Sequence, residues 1–270
     1  MANPTLNDSV FKRVRTEEGG AGWAAPDAST QYVPPINDGP ISPYRTDGMT
    51  IGGAATATGV LFVLLLVGGA FGWSATKVSA DTVEIPVWII APALAAFVLA
   101  IVSFFKPKLA RFTSPFYAIG EGIFLGAISR AYEAQWNGIV LQAVLATAGV
   151  FAAMLFLYST RVIKVTDRFR RTVIGATMGV ALLYLVGMVA HLFGANLAFI
   201  NSPSGFGIAF SLVVAGIAAS NLALDFDLIE RQATTGAPKY MEWYCALGLM
   251  VTIVWLYLEL LRLLSKLRER

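Results

Sequence analysis

The chain has 270 residues, a formal net charge of +3, and only 14% charged residues against 56% hydrophobic ones. Soluble domains carry roughly 25% charged residues, so this composition excludes an ordinary soluble protein and points to a polytopic membrane protein. The single cysteine, Cys245, excludes a disulfide framework and a Cys-based metal site, and the basic residues gather in short loops, as topology signals do, not in a nucleic-acid-binding surface.

Residues 1–48 contain no apolar run and hold six of the twelve prolines among scattered charges, Gly and Ser. Such a segment buries too little apolar surface to offset its ordering entropy, and the expectation is a disordered tail. It lacks the basic start and apolar core of a secretory signal, so the tail is expected to stay on the protein. The domain expectation is therefore a tail at 1–48, a transmembrane domain at 49–266 and a short basic C-terminus at 267–270.

A helix crossing the hydrocarbon needs about 20 largely apolar residues, so the distances between charges locate the spans. They predict helices near Met49 to Trp73, Pro86 to Phe105, Thr113 to Arg130, Asn137 to Thr160, Thr172 to Phe193, Phe206 to Ile229 and Tyr240 to Leu264. The fifth and sixth are separated because the stretch from Arg171 to Asp225 is too long for one helix and is broken at Gly194-Ala195-Asn196 and at Asn201 to Gly205. The fold class is all-α, with seven transmembrane helices.

Lys and Arg number 4, 1, 3, 1, 5, 0 and 2 in successive segments before the last helix. With the tail cytoplasmic, 14 lie inside and 2 outside, so the N-terminus is expected on the cytoplasmic side. Arg262, Lys266, Arg268 and Arg270 break this pattern if the last helix crosses fully, and a re-entrant last helix would remove the conflict.

Carboxylates within or beside apolar helices are costly near lipid and mark candidate sites. Asp225, Asp227 and Glu230 end the sixth helix, and Glu242 opens the seventh. Asn221, one turn before Asp225, offers it an amide. Glu121 lies mid-span among Gly120, Gly122 and Gly126, whose small size lets another helix approach closely. Arg130 reads as an interfacial anchor or as a partner for one of the acids, and Glu259 as an i,i+3 partner of Arg262 or as part of a gate. Gly175, Gly179 and Gly187 read as helix-packing surfaces.

Lys106 to Ala118, with Pro107, Pro115 and Tyr117, followed by Glu121-Gly122-Ile123-Phe124-Leu125-Gly126, resembles the third-helix entry of bacterial members of the Bax inhibitor family. Leu224-Asp225-Phe226-Asp227 resembles the Asp-containing end of that family's sixth helix. Leu256 to Leu264 resembles its last-helix signature, with Glu259 where an Asp is usual. The resemblance covers about residues 50 to 266. It implies a last helix set centrally within the other six, and a pH-sensitive calcium leak latched by two carboxylates that share a proton.

A hairpin turning near Gly236 brings Asp225 opposite the start of the last helix. Glu259 lies about 25 Å further along it. Glu242 is therefore the expected partner of Asp225 on geometry, and Glu259 is the partner on motif. Asp225 and Glu242 are also the expected oxygen ligands for a calcium ion.

There is no His-Glu-x-x-His pair, no phosphate-binding Gly-rich loop with a following Lys, and one histidine only. The expectation is a protein that is not an enzyme and takes no cofactor, seated in the cell's inner membrane. Its partners would be lipid, calcium and other membrane proteins, with no nucleic acid. Two functions remain open at this level, a proton-controlled calcium leak and a non-conducting membrane regulator that binds a protease or stress factor.

Overall fold

The structure is a computed structural model and describes residues 48–79, 82–194 and 202–270. The expected disordered tail, except for Gly48, and the break between the fifth and sixth helices from Ala195 to Asn201 lie outside these residues.

Among the described residues seven long helices follow in order: α1 (Ile51–Ala75), α2 (Ile90–Phe105), α3 (Ala110–Gln135), α4 (Ile139–Ser159), α5 (Asp167–Leu192), α6 (Gly205–Thr234) and α7 (Met241–Arg268). A two-stranded hairpin of β1 (Lys77–Val78) and β2 (Val83–Glu84) joins α1 to α2. All but α3 are long and apolar enough to cross a membrane. This all-α, multi-pass architecture is the one the composition implies.

Polar residues fix where several helices begin. The side chains of Thr50, Thr166 and Ser204 accept the N–H groups of Gly53, Phe169 and Gly207, satisfying donors that the first turns of α1, α5 and α6 leave open. The start of α4 is capped from outside, because Glu133 at the end of α3 accepts from Gly138 N at 2.6 Å and Val140 N at 3.1 Å.

The last helix is buried on every side, with Cys245, Ala246 and Leu247 in succession and then Leu249, Met250, Thr252, Val254 and Leu256 shut away from solvent. A helix buried all round is a core helix. It packs against α1, α2, α3, α4 and α6, and Tyr184 of α5 reaches it as well. By contrast only 6% of the apolar stretch of α5 is buried, against 50% for α7. The last helix is central, as the resemblance implied.

Helices α1 and α3 meet along a glycine seam. A Cβ on Gly68 or Gly72 would stand 2.4 or 1.9 Å from the carbonyl oxygens of Ile119 or Ile123, and one on Gly122 or Gly126 would stand 2.3 or 2.0 Å from those of Leu65 or Gly69. Without side chains at these four positions the two backbones close directly on each other. Gly175 and Gly179 do not pack in this way, for nothing lies within 4 Å of a Cβ built on either. Their sequence reading is corrected: they face outward from a helix that touches the bundle mainly through α6.

The two ends of the bundle are distinct. At one end Met49 N donates to Ala237 O at 2.7 Å, Gly48 bridges Pro238, Arg161 pairs with Glu230 and Arg170 with Asp227. At the other, Arg268 donates to Asn137 O at 2.7 Å and Lys266 Nζ to Gly207 O at 3.1 Å and Ser211 Oγ at 2.8 Å. Helix α7 therefore runs the full length of the bundle, and no re-entrant turn is needed. Three of the four basic residues that broke the loop pattern are engaged within the protein, Arg268 through its bond to Asn137. Arg262 pairs with Glu259, and Lys266 is only 2% exposed against α6.

Candidate functional site

Three of the acids singled out in the sequence, Glu242, Asp225 and Glu259, lie at three different depths along the central helix α7. Helix α6 extends to Thr234 and closes on Gly236, whose φ of 67° is the left-handed conformation that glycine supplies past a helix C-terminus. Asp225 is nine residues back from that end, so it lies about 13 Å into the bundle. Glu242 is the second residue of α7. The two are not level, and the expected Asp225–Glu242 pair does not form.

Asp225 instead faces the third turn of α7. A Cβ on Gly248 would lie 3.8 Å from its Oδ1, and its other neighbours on α7 are Thr252, whose hydroxyl donates to Gly248 O at 3.2 Å, and Cys245. Gly248 and Thr252 bracket position 250, nine residues into α7 and level with Asp225. Asp225 Oδ2 is sealed from solvent and has no hydrogen-bond partner. Among the described residues no Lys or Arg forms an ion pair with it.

Glu242 has a different task. It is 6% exposed, and its Oε1 accepts from the backbone N of Thr50 at 3.0 Å and from the Thr50 hydroxyl at 3.2 Å. The carboxylate thus sits at the N-termini of both α1 and α7, where peptide dipoles favour negative charge. A Cβ on Gly53 would stand 2.0 Å from Glu242 Oε1, so that glycine is what admits it. The expected calcium site of Asp225 with Glu242 is corrected for the same reason: the two carboxyls belong to separate contacts. Among the described residues no group of three His, Cys, Asp or Glu is placed to hold a metal ion.

Glu259 does not reach Asp225 either. It is 1% exposed and lies seven residues past Thr252, about 10 Å towards the far end. Its Oε2 accepts from Tyr184 Oη at 2.8 Å and Arg262 Nη1 at 3.0 Å, and Arg262 Nη1 also donates to Tyr184 Oη at 2.7 Å. The Arg262 guanidinium stacks 5.0 Å from the Tyr184 ring centre. This is the i,i+3 pair read from the sequence, completed by a tyrosine from α5. Glu259 Oε1 is buried without a partner.

The remaining candidates have separate surroundings. Asn221 Nδ2 donates to Thr177 Oγ1 at 2.8 Å and to Ile217 O at 2.9 Å, which corrects its expected bond to Asp225. Asp227 pairs with Arg170 at 2.6 Å and Arg231 at 2.9 Å. Glu230 pairs with Arg161 at 2.5 Å and accepts from Tyr158. Arg130 lies over the Trp73 ring, 5.1 Å from its centre, in a cation–π contact and not against an acid. Glu121 is half-buried one turn after Tyr117, between Gly120, which meets Pro92 of α2, and Gly122, which meets α1. The glycines do what the sequence suggested, letting α1 and α2 close on the helix that carries Glu121.

The arrangement is three acids at three depths along the central helix, each in its own contact: one capping α1 at the tail end, an uncompensated one on α6 in the middle, and an ion-paired one facing α5 at the far end. A family model described as Bax inhibitor 1 like matches residues 3–269. The chain belongs to the Bax inhibitor family. No curated protein matches it. This Bax inhibitor family member carries its sixth-helix acid opposite a glycine and a threonine of the last helix, where a two-carboxylate latch would place a second acid. Sequence reasoning missed Gly248, Thr252, Tyr184 and Thr50. The turn at Gly236 was read correctly, and what places Gly248 and Thr252 beside Asp225 is that α6 continues to Thr234, five residues past the expected end at Ile229.

Proposed function

We propose that this multi-pass membrane protein is a non-enzymatic calcium leak whose gate is the single carboxyl of Asp225. The observation that carries this reading is the sealed, unpartnered Oδ2 of Asp225 on the contact between α6 and the central helix. When protonated, the side chain is neutral and fits beside Gly248 and the Thr252 hydroxyl, and the two helices stay together. When ionised, it is a charge with no cation beside it and with one oxygen sealed from solvent, at a cost of about a few kcal/mol. Separation of α6 from α7 and entry of water relieve that cost and expose an oxygen ligand to a hard cation. The leak thus opens as pH rises. Calcium is cargo in this scheme, attracted by the carboxylate and released by it.

The orientation that goes with this reading places the tail and the basic ends of α3, α5 and α6 in the cytoplasm, with the protein in the cell's inner membrane. Fusions of a side-specific reporter at Gly236 and at Ser79 test it, with cytoplasmic and external signals expected respectively. Conduction is tested by calcium release from proteoliposomes that contain the pure protein. Release above protein-free vesicles, increasing with pH, supports the leak. Absence of release at every pH would instead support a regulator that acts by binding other membrane proteins.

A further inference from the structure

A groove of about 1080 Å³ runs along the outside of the bundle between α1 and α4. Phe62 and Leu66 form one wall, Val144 and Leu155 the other, and Leu249 and Ile253 of the central helix the floor. All four wall residues are exposed, so the groove opens sideways to whatever surrounds the helices. On α1 it extends from Ile51 to Trp73. That is about 33 Å at the helical rise, close to the roughly 30 Å of a bilayer's hydrocarbon core. Its lining is apolar almost throughout, and the charged residues on it, Arg161 and Glu230, stand together at the tail end of the bundle.

Arg161 has an unusual backbone. It is the one residue other than glycine with positive φ among those described, at 60°. This left-handed conformation costs a branched or long side chain energy that glycine avoids, and it persists where the side chain is needed. The Arg161 side chain is 63% exposed. Its Nη2 donates to Glu230 and its guanidinium lies 5.7 Å from the Tyr158 ring centre, while a guanidinium offers five donors in all. Lys164, Arg168, Arg170 and Arg171 follow in the same loop and first turn of α5, with Asp167 as the only acid.

We propose that the α1–α4 groove binds one anionic phospholipid, with acyl chain along the apolar walls and phosphate on Arg161. The apolar lining fits hydrocarbon lying parallel to the helices, and the chains of one lipid, about 15 Å deep in its leaflet, occupy the half of the groove nearest Arg161. The placement of the cations at one end fixes which way the lipid points. Bidentate donation from a planar guanidinium suits a phosphate group, and neighbouring basic residues favour a headgroup with net negative charge.

Two sets of variants separate the headgroup from the chain. Arg161→Gly removes the guanidinium at a position where glycine is conformationally preferred, so the fold is kept. Gly59→Phe with Ala148→Phe fills the groove, because nothing lies within 4 Å of a Cβ on Gly59 and Ala148 is an exposed groove residue.

The full-length protein is reconstituted in nanodiscs of equal phosphatidylglycerol and phosphatidylcholine, extracted into mild detergent, and its retained lipid counted by native mass spectrometry. The expected result is about one retained lipid per chain with phosphatidylglycerol preferred. That preference should fall about fivefold in Arg161→Gly, and retention should be lost in the filled variant. The proposal is overturned by no retained lipid, by equal retention of the two headgroups, by an Arg161→Gly preference equal to the parent's, or by a co-purifying protein in place of lipid. It is also overturned if the filled variant, folded by circular dichroism, keeps its lipid. Should that variant unfold, the Arg161→Gly comparison decides alone.

Discussion

Asp225 of α6 and Gly248 of α7 are in van der Waals reach, since a Cβ on the glycine would lie 3.8 Å from Asp225 Oδ1. A methyl group there would make an ordinary van der Waals contact with the carboxylate. Gly248→Ala is expected to fold normally and to gain up to about 1 kcal/mol from helix propensity. Gly248→Leu is expected to push α6 off the central helix and lower the melting temperature of the purified protein. Equal melting temperatures for the Ala and Leu variants would show that the two helices do not meet there.

Glu242 caps α1 and is assigned no role in pH response. Glu242→Ala should cost about 1–2 kcal/mol of stability, the usual value of a lost cap. It should leave the shape of any pH profile of flux unchanged. Thermal unfolding in detergent measures the first and proteoliposome release the second. A shifted pH profile with unchanged stability would return Glu242 to the gate.

Glu259 and Arg262 form a pair that is costly to break from one side. Arg262→Met leaves a buried carboxylate without its cation, and about 3 kcal/mol of destabilisation is expected. Adding Glu259→Gln should recover most of it, because the remaining carboxamide carries no charge. Chemical denaturation of both variants measures this directly. A double variant no more stable than Arg262→Met alone would contradict the assignment.

The glycine seam makes an opposite pair of predictions on two helices. Gly72→Ala places a methyl group 1.9 Å from Ile123 O, and α1 must separate from α3 to admit it, so a loss of about 1–3 kcal/mol is expected from overpacking. Gly179→Ala meets nothing and should be neutral or slightly stabilising through helix propensity. Comparing the melting temperatures of the two variants tests the seam.

The architecture was legible because charge spacing in a membrane protein is controlled by hydrocarbon thickness, and six of the seven helices satisfy length and composition together. Pairings were less legible. An error of five residues in the end of α6, Ile229 against Thr234, moved Asp225 by more than one helical turn and supplied it with the wrong partner. Asn221 was assigned to its neighbour on the same helix face, whereas it bonds across to Thr177, a contact between helices that local spacing cannot supply. The i,i+3 pair of Glu259 with Arg262 was readable because both residues belong to one helix. Its third member, Tyr184, was not, because α5 and α7 are brought together only by the fold.

In the proposed gate, apolar packing joins α6 to the central helix and the protonation state of Asp225, beside Thr252 and Cys245, decides whether they stay closed. Asparagine reproduces the neutral carboxyl in shape and cannot ionise. Calcium release from proteoliposomes, measured from pH 5 to 8 for the parent and for Asp225→Asn, tests the claim most directly. Release is expected to rise with pH in the parent and to stay low and nearly flat in Asp225→Asn. A variant whose release still rises with pH as steeply as the parent's would contradict it.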